Sequence, residues 1–324
     1  MTATFLILLP IFGLILAGYA CRLRGVLGPA AASEINRFVV WLALPALLFD
    51  IMAHTSLQAI WQPGFVWTFV LAKGLLFGSV LAWRLLAGTP VADASIDAVA
   101  ASYPNTGYVG FPLLLLLFGK DSQAPTTIAT IIVACVFFAA AIALIEAGLQ
   151  AERHPRKLAA KVAGAVLRNP LVLAPLLGAL CAAAGLHVPA SAGTFLKLLG
   201  GAASPCALVG LGLFLANGRI ARRQQAQAPA PSHGRGTLAA LVVAKLAVQP
   251  LLTWMLATWV FALPAPSRHM AVLLAALPTG TGPFMLAEYY RRDGALISNV
   301  ILVTTVGSVL TLVAVAAAMG VVPP

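Results

Sequence analysis

The chain has 324 residues, 61% of them hydrophobic and 9% charged, whereas a soluble globular domain carries about 25% charge. That excludes a soluble fold, and at about 20 apolar residues per crossing helix plus about ten per connection the length accommodates about ten or eleven spans with no sizeable domain beside them. The 20 Lys and Arg against 9 Asp and Glu leave a net charge of +11, which in a soluble chain would raise nucleic-acid binding, so membrane topology has to be tested first.

Apolar windows and polar breaks predict ten helices, at 3–21, 36–54, 64–87, 95–118, 126–149, 167–186, 192–217, 237–262, 268–289 and 295–320. No positive residue precedes the first, while Arg22 and Arg24 follow it, the reverse of a secretory signal peptide, so it stays as span 1 with its N-terminus outside. Connections 1–2, 3–4, 5–6, 7–8 and 9–10, with their helix ends, hold fifteen of the positive residues, among them Arg22, Arg84, Arg153, Lys157, Arg219, Arg222 and Arg292. The opposite side has Lys120 and Arg268, and Lys73, Lys197 and Lys245 fall inside helices. The positive-inside rule therefore predicts both termini on the non-cytoplasmic side and explains the basic excess without nucleic acid. The stretch 219–236, RIARRQQAQAPAPSHGRG, reads as a flexible cytoplasmic loop, more simply a solvated connection than a lipid or partner site.

Five spans per half is an odd number, so a duplicated second half must sit upside down relative to the first. Arg37 precedes Pro45 by eight residues as Lys197 precedes Pro205; Ala72-Lys73 in span 3 matches Ala244-Lys245 in span 8; span 4 breaks at Pro104 and span 9 at Pro278. The offsets of 160, 172 and 174 residues run in the same order. The expected fold is an all-α membrane protein of ten transmembrane helices in two inverted five-helix repeats, 1–149 and 167–324, joined by a cytoplasmic connection at 150–166.

Residues 101–112 read ASYPNTGYVGFP and residues 276–283 read ALPTGTGP, each inside an otherwise apolar span. Proline removes a backbone donor and clashes with the preceding turn, and glycine permits non-helical backbone. Both breaks fall near mid-span, where opened backbone survives only if buried in protein or lining a wet cavity. One such motif would read as an ordinary proline kink. Two in equivalent places predict half-helices starting after Gly107 and after Gly282, whose N-termini, each about half a positive charge, meet at the membrane centre.

An anion is the expected guest, bound around Pro104, Asn105, Thr106 and Gly107 of span 4 and Pro278, Thr279, Gly280 and Thr281 of span 9. Lys73 and Lys245 lie at mid-helix with no Asp or Glu at comparable depth, where each costs roughly 2.5–3.5 kcal/mol on insertion scales. A bound anion would satisfy them and make them substrate-binding residues; snorkelling, or bonding to the opened backbone of spans 4 and 9, would serve equally.

Other features read as structure. Gly74 and Gly78 suit a close helix contact, and Trp61, Trp67, Trp83, Trp254 and Trp259 mostly suit the interfacial belt. Cys21, Cys135, Cys181 and Cys206 show no metal or disulfide spacing, and the five histidines no metal spacing, so neither cofactor nor metal is expected.

INRFVVWLALPALLFD at 35–50, YPNTGYVGFPLL at 103–114 and ALPTGTGPFMLAEYY at 276–290 together resemble the auxin efflux carrier family, which includes plant auxin exporters and bacterial carriers of malonate and similar acids. The resemblance extends over nearly the whole length. It implies a scaffold domain and a moving crossover domain, with helices 4 and 9 crossing at their breaks, as in bile-acid symporters and sodium/proton antiporters. The family's proline-asparagine site falls on Pro104 and Asn105 and its second crossover proline on Pro278. Thr279 follows that proline here, which departs from a symmetric asparagine pair, and residues 150–168 are too short for the plant exporters' regulatory loop.

The expectation is a secondary carrier, not an enzyme, that moves a small organic anion such as malonate or another dicarboxylate across a bacterial inner membrane by alternating access around Asn105. Its expected partners are that anion, the bilayer, a coupling proton or sodium, and a second copy in a homodimer. An inorganic cation/proton antiporter on the same fold would need mid-membrane carboxylates. A membrane sensor signalling through 219–236 is the reading from another class, and vesicles that bind labelled acid without accumulating it would favour it.

Overall fold

A computed structural model describes residues 2–54, 61–150, 155–224 and 235–321. Every named element among them is helical: α1 (Thr2–Leu23), α2 (Ala31–Phe38), α3 (Leu44–His54), α4 (Pro63–Leu86), α5 (Val91–Ser102), α6 (Phe111–Phe118), α7 (Gln123–Ile131), α8 (Phe138–Leu149), α9 (Pro155–Arg168), α10 (Pro170–Ala183), α11 (Ala190–Gly201), α12 (Ala203–Gln224), α13 (Arg235–Val243), α14 (Gln249–Met255), α15 (Ala265–Ala276), α16 (Gly282–Tyr289) and α17 (Ala295–Ala318). Wide π-helical turns join α2 to α3 at Val39–Ala43 and α13 to α14 at Ala244–Val248.

Among the described residues six helical stretches are long and apolar enough to cross a membrane, against the ten spans expected. The shortfall has visible causes. Gly13–Leu23 and Pro170–Ala183, in expected spans 1 and 6, are apolar but shorter, and expected spans 4 and 9 are each split into halves too short to cross alone. One of the six, Leu113–Leu149, has 37 residues, roughly 55 Å of helix and nearly twice a hydrocarbon core. It turns at Gly119, whose φ of +61° is open to glycine, so α6 and α7–α8 run as separate rods.

Two further departures come from local chemistry. Expected span 7 is two helices, α11 and α12, divided at Ala202 just before Pro205. The connection 150–166 is largely α9, whose Arg156, Lys157, Lys161 and Arg168 make it the kind of basic helix that lies along a membrane surface. The expected loop 219–236 is helical to Gln224 and again from Arg235, and residues 225–234 lie outside the described set.

α1 lies along α12 and α10 along α3, each pair meeting at glycine. A Cβ on Gly18 would run into the Val209 carbonyl, and one on Gly178 would come within 2.5 Å of the Phe49 carbonyl. Small residues let helix backbones approach this closely where no hydrophobic force drives helices together. A second group gathers α4, α5, α7, α8, α14, α15 and α17. At its centre α5 (VADASIDAVAAS) is buried from Ala94 to Ser102 and α15 from Met270 to Ala276; small side chains on every face permit such all-round burial.

Polar contacts tie one end of the bundle together. Arg84 Nε donates to Asp97 at 2.7 Å, Arg292 pairs with Asp93, Arg219 donates to the Tyr19 hydroxyl at 2.6 Å and Tyr290 donates to Glu146 at 2.8 Å. Burial, and then Glu146 beside it, push the Tyr290 phenol well above its ordinary pKa, so it remains a donor. Arg84, Arg219 and Arg292 belong to the connections that the charge count places together on one side.

Candidate functional site

Both breaks follow from the rule that a residue before proline leaves the α-region. Tyr103, before Pro104, has φ −102° and ψ 85°, and Leu277, before Pro278, has φ −56° and ψ 150°. The opened backbones pair with each other. The Asn105 amide donates to the Pro278 carbonyl at 2.9 Å and the Gly280 amide to the Tyr103 carbonyl at 2.9 Å, an antiparallel bridge centred on Pro104 and Thr279. Thr279 is absorbed into this crossing: its amide donates to the Thr304 hydroxyl at 3.1 Å and its own hydroxyl to the Ala100 carbonyl at 2.8 Å. Mutual pairing thus supplies partners that lipid cannot.

The lysines take the carbonyl ends. Lys73 is 1% exposed and donates to the Ser102 carbonyl, the last residue of α5, with its ammonium 4.8 Å from the Phe137 ring centre and 5.4 Å from that of Tyr103. Lys245 is fully buried and donates to the Ala275 carbonyl of α15 at 2.7 Å and to Gln249 Oε1 at 2.6 Å. Of the three partners open to them on sequence, the structure shows the opened backbone. Each lysine sits where a helix C-terminus carries about half a negative charge.

What the lysines leave uncompensated is the other pair of ends. The π-turn Thr106–Gly110 runs into α6, and Thr281 stands at the start of α16 without a side-chain capping bond; the Thr106 amide turns back to the Pro104 carbonyl at 2.8 Å, and the next amides of each helix have no partner within it. Both ends open on one cavity of about 30 Å³, room for about two waters. Asn105, Thr106, Thr130 and Thr281 supply its polar groups, and Leu44, Leu48 and Met285 its apolar wall. No side-chain hydrogen bond joins Asn105, Thr106 or Thr281 to another described residue, so these groups remain available. The lining contains no charged side chain among the described residues. The groups that could favour an anion there are the two helix N-termini, an arrangement known to suit carboxylates and phosphates.

Of the residues the sequence singles out, Pro104, Asn105, Thr106, Gly107 and Thr281 line the cavity. Pro278, Thr279 and Gly280 build the crossing behind it, and Lys73 and Lys245 stand outside the lining. Sequence reasoning missed Thr130, Met285 and the α3 leucines Leu44 and Leu48. Thr126 and Thr130, one turn apart in an apolar span, were the available signal, but both hydroxyls donate to carbonyls four residues back, as threonines do in any membrane helix.

Gly282 is needed for close approach, because a Cβ there would lie 2.6 Å from the Tyr103 ring. Gly107 borders open space, with nothing within 4 Å of an added Cβ. Gly282→Ala is expected to cost about 1–3 kcal/mol as an overpacked core does, seen as a lower melting temperature. Gly107→Ala should leave melting unchanged while narrowing the cavity; equal losses in both would remove the Tyr103 contact as the cause.

An all-helical, multi-pass membrane bundle built round two crossed, broken helices with a polar cavity at the crossing is a transporter's arrangement. The profile of the family described as Membrane transport protein matches residues 4–315, and the chain belongs to that family, which includes the auxin efflux carriers. The chain is 31% identical, over 94% of its length and 92% of the relative's, to a Rhizobium meliloti (strain 1021) protein whose name proposes malonate transport. It is 27% identical over 94% of both chains to an uncharacterized transporter of Methanothermobacter thermautotrophicus. A rice auxin efflux carrier component 3a is 34% identical over 33% of this chain and 18% of its own. The family and these relatives are transporters, not enzymes.

Proposed function

We propose that the protein is a secondary carrier of a small organic anion, a short-chain mono- or dicarboxylate such as malonate. The observation that carries this reading is the asymmetry of the breaks: lysines donate hydrogen bonds to both carbonyl ends, while both amide ends face a cavity beside unengaged Asn105, Thr106 and Thr281. A cation would meet the wrong sign of field there, which weighs against the inorganic antiporter. At about 30 Å³ the cavity is too small for a dicarboxylate, so substrate entry requires the α1, α3, α10, α12 group to shift against the crossover group, consistent with alternating access. The relative named for malonate supports that acid as the first to test.

Two inverted repeats of five helices, 1–149 and 167–324, are the arrangement that best accounts for the packing. The Gly18–Val209 contact and the Gly178–Phe49 contact are interchanged by one offset of 160 residues, and the irregular turns before Pro45 and Pro205 fall at the same offset. The charge count supports both termini on the non-cytoplasmic side, and a bacterial inner membrane is the location proposed. A cysteine replacing Lys157 should then be labelled only from the cytoplasm and one replacing Lys120 only from the other side; the reverse pattern would invert the topology.

The decisive test is uptake. Purified protein in vesicles should accumulate labelled malonate or a related acid against a control without protein. Binding without accumulation would favour a sensor, and neither binding nor uptake of any short-chain carboxylate would end the anion reading.

A further inference from the structure

We propose that Lys73 and Lys245 form a proton-binding pair that holds one exchangeable proton in step with the anion, making the carrier a proton symporter. This rests on the anion-carrier reading and adds its coupling ion and the residues that bind it.

The two lysines belong to one hydrogen-bonded chain. Lys73 donates to the Ser102 carbonyl, Gln249 Nε2 approaches the same carbonyl at 3.4 Å, and Gln249 Oε1 accepts from Lys245 at 2.6 Å. Both side chains are buried, and the charge they face is that of two half-helix ends, together about one negative charge. Two ammoniums there would leave about one uncompensated positive charge in a region that tolerates none without a partner. With the cavity empty, the balanced state therefore has one ammonium and one amine.

The surroundings assign which is which. Lys73 lies over two aromatic rings at 4.8 and 5.4 Å, the setting of a cation. Lys245 meets two acceptors, Gln249 Oε1 and the Ala275 carbonyl, which match the two N–H groups of an amine and leave its lone pair free. Malonate entering beside Asn105 brings two negative charges; the two amide ends there offset about one of them, and the other is the missing countercharge. The Tyr103 ring, which lines the cavity on one side and lies 5.4 Å from the Lys73 ammonium on the other, separates the anion from the pair without screening its field. A proton from bulk water then bonds to the Lys245 lone pair, and departure of the anion releases it.

The other ionisable groups on the elements packed around the pair are engaged or distant. On α5, Asp97 is bonded to Arg84 of α4 and Asp93 to Arg292. Glu146, at the end of α8, accepts from Tyr290. Arg235 begins α13, Arg268 and His269 lie in the first two turns of α15, and Glu288 and Tyr289 end α16; α14 and α17 carry no charged residue. Cys135 lies in the π-turn of Ile132–Phe137.

Calorimetric titration of the purified protein with malonate, in two buffers of different ionisation heat and at a pH where the acid is fully ionised, counts protons taken up per anion bound. About one is expected for the wild type, with Kd rising about tenfold per pH unit. Lys245→Met and Lys73→Met should each bind malonate with no proton uptake and a flat pH dependence, because one lysine then balances both helix ends permanently. Binding by the wild type without proton uptake, or uptake that survives in Lys245→Met, overturns the proposal while leaving the anion reading intact. Should neither variant fold, the wild-type pH slope decides alone. No binding of malonate or any other short-chain acid removes both.

Discussion

Asn105→Ala is expected to weaken binding of the transported acid about 10- to 100-fold, because a hydrogen bond to a charged group contributes about 1.5–3 kcal/mol and each 1.4 kcal/mol is a factor of ten. The fold should survive the change. The Asn105 backbone carries the structural duty, its amide donating to the Pro278 carbonyl and its carbonyl accepting from Val109 and Gly110, and alanine keeps all three bonds. The side chain is bonded to no other described residue, so truncation orphans no partner. Melting of the ligand-free variant should therefore match the wild type, while the ligand-induced rise in melting temperature is lost at concentrations that saturate the wild type. Thr279→Val makes the opposite case. It removes a buried hydroxyl that satisfies the Ala100 carbonyl at 2.8 Å, so it should lower melting and leave affinity nearly unchanged. Wild-type affinity in Asn105→Ala would take that residue out of the site and, with it, the main polar anchor of the anion reading.

The contrast between those two positions marks what the sequence could tell. Proline and glycine in two apolar spans are local signals, and local backbone rules sufficed to locate the breaks at 103–105 and 277–281. Whether a given polar residue beside a break faces the cavity or the opposite helix depends on a contact between residues about 175 apart, which no local pattern encodes. Thr279 and Thr281 are alike in sequence, yet one stitches the crossing and the other lines the cavity. The lysines show the same limit: their place within apolar helices was readable, but the choice among anion, interface and backbone needed the carbonyls of Ser102 and Ala275 in place. Helix α9 is short and basic, so no continuous apolar stretch marks it in the sequence.

Gly18→Val and Gly178→Val are each expected to lower the melting temperature by about 5–10 °C. Both sites press against backbone rather than a movable side chain: the Val209 carbonyl at Gly18 and the Phe49 carbonyl at Gly178. Relief therefore requires whole helices to separate, α1 from α12 and α10 from α3. Overpacking costs about 1–3 kcal/mol or more, taken here at its upper end, and for chains of comparable size each kcal/mol moves melting by about 2–4 °C. Gly13→Val and Gly193→Val provide the control, since nothing lies within 4 Å of a Cβ at either position, and both should stay near wild type. The similarity of the two costs is the sharper result. Residues 18 and 209 become 178 and 49 when one offset of 160 is applied in opposite directions, so a duplicated, inverted architecture requires the two contacts to be the same contact made twice. If Gly178→Val is tolerated while Gly18→Val is not, the matching offset is coincidence, and the argument for internal symmetry is left with only the breaks and the two lysines.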